Sequence, residues 1–442
     1  MERAKLIVKN FGPLKDIEIE VREMVTFIGA QASGKSTLAK LISIFEDENF
    51  RSDIKITFED ELKKYNILSY LKEESYIEYK SIDVNTTIAK FIFFEKKFKK
   101  NTLQETLSRL KEIDIKHFEE VDLNGRIKNL IRLVINAYNL LNKENFYLVF
   151  ETEKQKIKFE IDFLKIRIKN DQINDLDVEM LIEILGLEKS IENYLFLYDK
   201  IITAFPNIFS FDSIYIPSER NFLHLIAENT LGLINNNVQI PKHLLNSGQD
   251  YEKAIQTIKE LPLTIIDKKV KYKREGKTSY IYHSETEKVD LLESASGLQS
   301  VIPILLLVEY SKSLKEKYNF NFVVEEPELN LYPKAQHELI KYLVKNCLFD
   351  RKNLIITTHS PFVLASINNL LLAYDKGQKN PKEVSKIIKK ESWLNPKNFI
   401  AYELKNGKAK KIMNDKLGQI SENMIDGVSD AFANEFDKLL DL

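Results

Sequence analysis

The N-terminal positions alternate between hydrophobic and polar residues and predict a pair of strands. The segments AKLIVKNF and LKDIEIEV alternate with a period of two on either side of Gly12-Pro13, a pattern that is typical of a β-hairpin. The apolar run MVTFIG comes next and predicts a buried strand, and residues 35–45 then repeat apolar side chains at helical spacing. The chain is therefore predicted to begin with a hairpin, followed by a strand, a loop and a helix.

Glycine and proline are scarce in the next part of the chain, which sets it apart. No proline lies between Pro13 and Pro206, and Gly125 is the only glycine in residues 35–185. Because these two residue types mark turns most strongly, we expect residues 46–208 to form an insertion used for dimerisation or partner binding. Its patterns predict a mostly helical α+β unit. Helical spacing covers residues 59–71, 102–115, 126–141 and 191–205, and a hairpin pattern covers residues 145–162.

Beyond the insertion, apolar strands alternate with helical patterns. Strands are predicted at SIYIP, FNFVVEE and LIITTHS, a hairpin within residues 263–283, and a helix at residues 301–315. This order predicts an α/β fold with a largely parallel sheet covered by helices. We expect a split head domain over residues 1–45 and 209–375, with LIITTHS as its last strand, and a polar C-terminal tail over residues 376–442.

The composition of the chain excludes several classes of protein. Hydrophobic residues make up 44% of the 442 positions, which excludes a disordered chain. The 65 basic and 66 acidic residues exclude a basic footprint spread over the whole surface. The single cysteine cannot form an internal disulfide, no apolar run approaches the ~20 residues of a membrane span, and the N-terminus lacks a signal-peptide pattern. We therefore expect a soluble cytoplasmic protein with no membrane partner.

The loop after MVTFIG fits the pattern GxxxxGK[ST] and predicts a phosphate-binding site. Its glycines would let backbone N–H groups curl around the β-phosphate, Lys35 would reach the β- and γ-phosphates, and Ser36 would ligate Mg²⁺. An ordinary Gly-Ser turn is the alternative, but chance should produce this pattern at fewer than roughly one position in 10⁵. The predicted cofactors are ATP and Mg²⁺, bound by Gly29, Ala30, Gln31, Ala32, Ser33, Gly34, Lys35, Ser36 and Thr37.

Two adjacent carboxylates end the strand FNFVVEE, at the edge where α/β sheets bind ligands. Glu325 would face the Mg²⁺ shell, and Glu326 would orient or deprotonate the attacking water. A solvated turn is the alternative for such a pair, and the phosphate-binding loop upstream favours catalysis. His359 follows the strand LIITT and would contact the γ-phosphate, although a histidine at a strand end is also commonly structural.

The segment SASGLQS places Ser296 and Gly297 at the start of the helix predicted to begin near Leu298. Exposed N–H groups at that point would form an anion site, to which Gln299 is also assigned. Because the loop at Gly29 already holds the chain's own phosphates, the target would be the nucleotide of a second protomer. A simple helix cap is an equal alternative.

Together, the order and spacing of these motifs resemble the ABC-type ATPases of the SMC/Rad50/RecF and OLD lineage. YIPSER, SASGLQSVIPILL, EEPELNLYP and TTHSPFVLASINNLLLA are most similar to the OLD-like AAA ATPases of prokaryotic defence and mobile-element systems. The resemblance covers residues 1–45 and about 210–375. It implies a P-loop NTPase fold with an ABC-type ATPase head, in which SGLQS is the signature loop, EEPELNLYP the Walker B motif and D-loop, and His359 the switch histidine.

Two positions depart from the pattern of the wider class, and the Q-loop has two candidate residues. Glu325 replaces an aspartate, a change that this subgroup commonly shows, and Leu298 replaces a second glycine of the signature loop. For the Q-loop, Glu219 and Arg220 after SIYIP are the candidates, and a salt-bridged surface loop is an equal alternative.

The chain lacks the features expected of a nuclease. Full-length OLD-type nucleases carry a Toprim domain after the ATPase, whereas about 80 residues follow His359 here, without the acidic cluster that two metal ions need. The resemblance to PARIS- and Septu-like two-component systems therefore implies that a nuclease or toxin effector is a separate protein. The tail could dock on such a partner, or its last helix could cover the chain's own core.

The sequence thus predicts a Mg²⁺-ATP-dependent ATPase that forms a homodimer or higher homo-oligomer around ATP. It would act as a sensor or scaffold for a separate effector in anti-phage defence. The alternative is a RecF- or Rad50-like ATPase of DNA repair or chromosome maintenance that binds DNA itself. FEKKFKK and KKVKYKREGK interleave aromatic residues with lysines and are the local nucleic-acid candidates, but flanking acidic residues favour a solvated surface for both.

Overall fold

A computed structural model of the chain describes residues 4–47, 50, 56–80, 84–89, 93–98, 211–227, 240–314, 319–348 and 353–441. The helices predicted at residues 102–115, 126–141 and 191–205 and the hairpin at residues 145–162 lie outside these ranges and remain predictions. The other predicted strands and helices fall almost entirely within them.

Strands and helices alternate along the described residues. In chain order the strands are β1 (Ala4–Phe11), β2 (Leu14–Val21), β3 (Met24–Gly29), β4 (Tyr76–Lys80), β5 (Val84–Ala89), β6 (Phe93–Phe98), β7 (Phe211–Ile216), β8 (Glu260–Pro262), β9 (Lys271–Glu275), β10 (Thr278–Tyr282), β11 (Lys288–Asp290), β12 (Asn319–Glu325), β13 (Leu354–Thr358), β14 (Phe399–Lys405), β15 (Lys408–Lys411), β16 (Met413–Asn414) and β17 (Gln419–Ile420). The α-helices are α1 (Lys35–Glu46), α2 (Phe58–Lys64), α3 (Lys242–Thr257), α4 (Ser296–Ser313), α5 (Pro333–Cys347), α6 (Pro361–Gly377), α7 (Pro381–Ile387) and α8 (Met424–Leu440).

One large sheet has the strand order β6-β5-β4-β1-β2-β15-β14-β3-β13-β12-β7. The five strands from β14 to β7 run parallel to one another. The five from β2 to β6 pair antiparallel. The predicted parallel α/β sheet is therefore confirmed, and it continues into an antiparallel half of which only the first hairpin was predicted.

Helices cover both faces of the parallel strands, as alternate residues of β3 show. Met24 and Ile28 belong to a hydrophobic cluster that includes residues of α3, α4, α5 and α6. Val25 and Phe27 belong to a second cluster, on the other face, that includes residues of α1 and the β1–β2 hairpin. A strand that is apolar on both faces is typical of a buried parallel sheet. The loop that follows β3 is therefore anchored between two packed cores.

The first part of the predicted insertion continues the sheet of the head. β4 pairs with β1, and β5 and β6 extend the sheet beyond it. Tyr79 of β4 stacks on Phe45 of α1 with ring centroids 5.0 Å apart, and α2 begins at a capping box formed by Thr57 and Asp60. Because most of residues 46–208 lies outside the described ranges, the division into head and insertion stays a prediction.

The C-terminal residues correct one sequence-based prediction, because LIITT is not the last strand. β14 lies in the middle of the large sheet, parallel to β3, and its hairpin partner β15 reaches β2. The missed signal is Asn406-Gly407, where φ is 53° and 78°. Two consecutive positive φ angles are typical of the type I′ turn of a tight hairpin. Residues 399–411 therefore belong to the core of the fold.

The hairpin predicted within residues 263–283 is confirmed as β9 and β10, which join β8 and β11 in a separate antiparallel sheet. Buried Tyr272 and Ile281 of this sheet pack in the same hydrophobic cluster as α3 and α4. Among the described helices, including the apolar α4, none has the length and hydropathy needed to cross a bilayer.

We predict that Gly407→Ala destabilises the fold more than Gly276→Ala does. Both glycines have positive φ, which costs an alanine about 1–2 kcal/mol. A Cβ on Gly407 would also lie 2.9 Å from the Pro13 carbonyl oxygen and 2.6 Å from the Lys15 side chain, whereas nothing lies within 4 Å of one on Gly276. We expect overpacking to add about 1–3 kcal/mol at position 407. Denaturant unfolding of both variants checks this, and equal free energies of unfolding would contradict it.

Candidate functional site

The loop between β3 and α1 is shaped by two glycines in close contact with other segments. Gly29 has φ 156° and Gly34 has φ 99°. A Cβ on Gly29 would lie 2.6 Å from the Leu404 carbonyl oxygen of β14, and one on Gly34 would lie 2.4 Å from the Leu14 side chain. Gly34 is also the N-cap of α1 and provides no side-chain cap. The first N–H groups of α1 therefore stay available for an anion, as the sequence pattern requires.

Lys35 is the first residue of α1, and its side chain folds back over the loop and is 5% exposed. Its ammonium donates to the carbonyl oxygens of Gly29 at 2.9 Å and Ala30 at 3.0 Å. Burial lowers the pKa of Lys35, and the negative charges of Glu326, Glu328 and Glu325 act against that shift. Lys35 therefore lies in the negative field of three carboxylates.

Glu325 ends β12 and is 3% exposed. Burial raises the pKa of this carboxyl group, and Lys40 and the hydroxyl groups of Ser36 and Tyr215 counteract the increase. Its Oε1 atom is buried without a hydrogen-bond partner. A buried carboxylate oxygen that lacks a partner, next to the Ser36 hydroxyl, fits a hard cation such as Mg²⁺. No cluster of three or more histidine, cysteine or acidic residues that could hold a metal by itself occurs in the described ranges, so phosphate oxygens and water would complete such a shell.

Glu326 and His359, predicted to be catalytic, are brought together by the structure. Glu326 Oε1 lies 3.2 Å from His359 Nε2, and each side chain is about a third exposed. Glu326 has φ 43°, and its N–H donates to the Thr357 carbonyl oxygen of β13 at 2.9 Å. This left-handed backbone turns the side chain away from the direction of β12, toward the end of β13. The two residues therefore form a pair that is accessible to a water molecule and to a phosphate.

Glu328 is a site residue to which the sequence analysis assigned no role. Its Oε1 atom accepts hydrogen bonds from the Thr358 hydroxyl at 2.7 Å and from the His359 N–H at 2.8 Å. Burial raises its pKa, and these two bonds counteract the increase. Glu328 thus fixes the main chain that carries the histidine. The third carboxylate of EEPE was the available signal, but acidic residues in a turn are too common to assign a role by themselves.

SGLQS, predicted to be the signature loop, begins a helix that packs on a turn of the same chain. α4 begins at exposed Ser296, close to the predicted start at Leu298. A Cβ on Gly297 would lie 2.7 Å from the Asn330 carbonyl oxygen, so the helix start packs on the turn that follows β12. The Gln299 side chain donates to the carbonyl oxygens of Leu292 and Ser294, both at 2.9 Å, and so holds its own loop. Between these residues and the loop of residues 29–36, the described structure contains no hydrogen bond or ion pair.

Glu219 and Arg220 have different surroundings. Glu219 is exposed and accepts a hydrogen bond from the Ser218 hydroxyl at 3.0 Å. Arg220 is fully buried and donates to backbone carbonyl groups, including those of Glu325 and Glu326 at 2.8 Å each. The exposed position of Glu219 is compatible with a surface loop, although the only polar contact described for its side chain is to Ser218, whereas burial excludes a surface loop for Arg220.

Comparison with known proteins places the chain in a family of ATPases. The sequence profile of the AAA_15 family, described as AAA ATPase domain, matches residues 1–364. The chain belongs to this family. Membership confirms the predicted P-loop ATPase fold and the ATPase activity, and it implies ATP as the ligand with Mg²⁺ as the usual metal.

The AAA ATPase domain is also similar to solved structures of low sequence identity. An SMC head domain of Pyrococcus furiosus, bound to the C-terminal domain of ScpA, and one of Thermotoga maritima are each 12% identical with a TM-score of 0.35. The alignments cover 93% of this chain and 96% and 98% of those chains. A recombination mediator protein RecF is 14% identical with a TM-score of 0.32, over 93% of this chain and 99% of that one. No curated protein matches the sequence.

We predict that the two adjacent glutamates of this ATPase fail in different ways. Glu326→Gln keeps the size of the side chain but removes the base, so turnover should fall by about 10²–10⁴-fold while ATP binding survives. Glu325→Gln should weaken Mg²⁺-dependent nucleotide binding, so that more Mg²⁺ is needed, because the side chain loses the charge that attracts the cation.

A single-turnover ATPase assay and a Mg²⁺ titration of nucleotide binding on both variants separate the two roles. Hydrolysis by Glu326→Gln at the wild-type rate would show that this carboxylate is only a turn residue. An unchanged Mg²⁺ midpoint for Glu325→Gln would remove its assignment to the metal.

Proposed function

We propose that the protein is a Mg²⁺-ATP-dependent, ABC-type ATPase that dimerises head to tail around ATP. In this proposal the dimer acts as a sensor or scaffold that controls a separate nuclease or toxin effector in anti-phage defence. The ATPase part rests on the family. The dimer and the effector are supported by particular surfaces of the chain.

The observation that carries the dimer is the exposed N-terminus of α4. Ser296 is exposed and α4 has no side-chain cap, while the N–H groups of Leu298 and Gln299 already donate to the Ala295 carbonyl oxygen. The N–H groups of Ser296 and Gly297 are therefore the ones that would bind an anion. The chain's own phosphate-binding loop lies elsewhere, between β3 and α1. A helix start of this kind suits the γ-phosphate held by a second protomer, which is a head-to-tail arrangement with two shared ATP molecules.

Within one protomer, the residues divide the work of hydrolysis. The Lys35 ammonium would leave the carbonyl groups of its loop and neutralise the β- and γ-phosphates. Glu326 would orient the attacking water and accept its proton. His359, whose Nε2 lies 3.2 Å from that carboxylate, would hold it before ATP binds and would contact the γ-phosphate once ATP is bound. Bound Mg²⁺ would supply neutralising positive charge next to Ser36 and Glu325. Such chemistry depends on positioning and electrostatics rather than on a covalent intermediate.

Mixing two inactive variants tests the shared site. Ser296→Arg should leave single-site nucleotide binding nearly intact but block ATP-driven association, because the arginine fills the space that the facing γ-phosphate needs. Lys35→Ala should lose binding, because it lacks the cation for the phosphates. A heterodimer of the two has one site with both lesions and one wild-type site. We expect the mixture to recover part of the ATPase activity, and two pools that stay inactive after mixing would contradict the shared site.

Support for a separate partner comes from α8. Its N–H at Met424 donates to the Glu403 carboxylate of β14 at 2.7 Å, and residues 426–428 and 430–440 are exposed. Apolar side chains recur along it at helical spacing, and four acidic residues of the helix flank them with a single lysine. The exposed apolar residues are Val428, Phe432, Phe436, Leu439 and Leu440. An effector with an apolar groove and a basic rim would fit this helix.

Substitutions on α8 test the docking. Phe432→Ser together with Phe436→Ser should abolish co-purification with an effector encoded by a neighbouring gene, while ATP turnover stays at the wild-type level. Leu417→Ser is the control, because that leucine is also exposed and apolar, at 66%, but lies outside α8. Equal losses of co-purification in both variants would mean that general surface hydrophobicity, and not the helix, mediates contact.

A DNA-binding ATPase of the RecF or Rad50 kind is the alternative function. KKVKYKREGK includes β9, where Lys271 pairs with Glu260 at 3.2 Å and Lys273 pairs with Glu275 at 3.8 Å. Lysines that are already paired offer little charge to phosphates. Most residues of FEKKFKK lie in β6, and the structure does not describe their side chains. A salt-dependent affinity for double-stranded DNA in the presence of ATP would favour the alternative.

A further inference from the structure

A proline inside α4 leaves a backbone carbonyl of the signature loop free to accept from another segment. Pro303 has no N–H group, so the helical hydrogen bond to the Gln299 carbonyl oxygen is missing. His224 Nε2 lies 2.8 Å from that oxygen, and the Tyr251 hydroxyl lies 2.8 Å from Nδ1 of the same ring. Burial lowers the pKa of His224 to about 4, so the neutral ring donates to Gln299 and accepts from Tyr251.

Arg220, one turn earlier in the same segment, binds the next carbonyl group of α4. Its Nε donates to Ser300 at 2.8 Å. The two terminal nitrogens donate to the carbonyl oxygens of Glu325 and Glu326, each at 2.8 Å, and one of them also reaches Pro217 at 3.3 Å. A single side chain therefore joins three segments: the residue after β7, the start of α4 at Ser300 and the Glu325–Glu326 turn after β12.

The chemistry of the guanidinium makes this connection rigid. Arg220 is fully buried, and its four hydrogen bonds all go to main-chain oxygens. Burial lowers its pKa to about 10, so it remains charged at neutral pH, and charged donors form strong hydrogen bonds. The planar fork fixes all its acceptors at once, which a flexible lysine cannot do. Displacing the start of α4 would therefore displace the main chain of Glu326 as well.

We propose that Arg220 is a positioning residue that couples the signature loop to the Glu325–Glu326 turn of the same protomer. The inference rests on the proposed function, in which the signature loop of each protomer contacts the ATP of the other. Engagement of one ATP by the signature loop is then transmitted through Arg220 to the carboxylates that act on the second ATP. The two sites of the dimer hydrolyse cooperatively because of this connection.

Arg220→Lys is the test, because it keeps the positive charge but cannot reach all four acceptors. We expect kcat to fall about 10–100-fold and the Hill coefficient for ATP to fall from near 2 toward 1. Single-protomer binding of ATPγS, measured at a protein concentration too low for dimerisation, should stay within about two-fold of wild type. Arg220→Gln, whose neutral amide also donates to carbonyl groups, replaces the lysine variant if the latter does not fold.

Arg22→Lys is a matched control. Arg22 donates to the carbonyl oxygens of Phe399 at 2.9 Å and Pro396 at 3.3 Å, and so also ties separate segments through the main chain, but away from the catalytic turn. It should lower the melting temperature while leaving kcat and the Hill coefficient unchanged.

Each remaining outcome decides the matter. A folded Arg220 variant with wild-type kcat and cooperativity would overturn the coupling role. The same kinetic loss in Arg22→Lys would contradict the coupling role, because it would show that any loss of stability lowers kcat and cooperativity. A wild-type protein that hydrolyses ATP as a monomer and without cooperativity would overturn the shared-ATP proposal and the coupling together, and this result is visible without any variant.

Discussion

Three glutamates, Lys35 and the buried Arg220 meet where parallel strands end, and the rest of the site depends on this concentration of charge. Burial lowers the pKa of Lys35, and the charges of Glu326, Glu328 and Glu325 all counteract that shift. Carboxylates that share a site repel one another, and Glu325 and Glu328 are also disfavoured as anions by burial, so they need positive charge nearby. That need is the physical reason the site suits an anionic nucleotide together with a divalent metal, because the pair adds positive charge near the glutamates and negative charge near the lysine.

Main-chain hydrogen bonds, more than contacts between side chains, keep these groups in position. Arg220 donates to the carbonyl groups of residues 325 and 326, and Glu328 accepts from the N–H of His359. The Glu326–His359 pair lies between these two anchors. A site fixed through the backbone can keep its reactive side chains partly exposed without losing their geometry, which is what preorganised electrostatic catalysis requires.

The fold itself was predictable where its pattern is local. Alternation with a period of two marked β1 and β2, and apolar runs marked β3, β12 and β13. β14 escaped because lysine-rich segments surround its short apolar run, and no local pattern says that it enters the sheet beside β3. Strand order depends on pairing between distant residues, so the central place of residues 399–405 is a property of the tertiary structure.

The sequence by itself determined the chemistry: the phosphate-binding loop, the two glutamates at the end of a strand and the histidine after another are all carried by short motifs with a physical meaning. Only the tertiary structure decided their mutual arrangement. It placed Glu326 within 3.2 Å of His359, buried Arg220 instead of leaving it in a surface loop, and gave Glu328 its role. The reason is that burial and hydrogen-bond partners depend on segments far apart in the chain, and a motif records only its own neighbours.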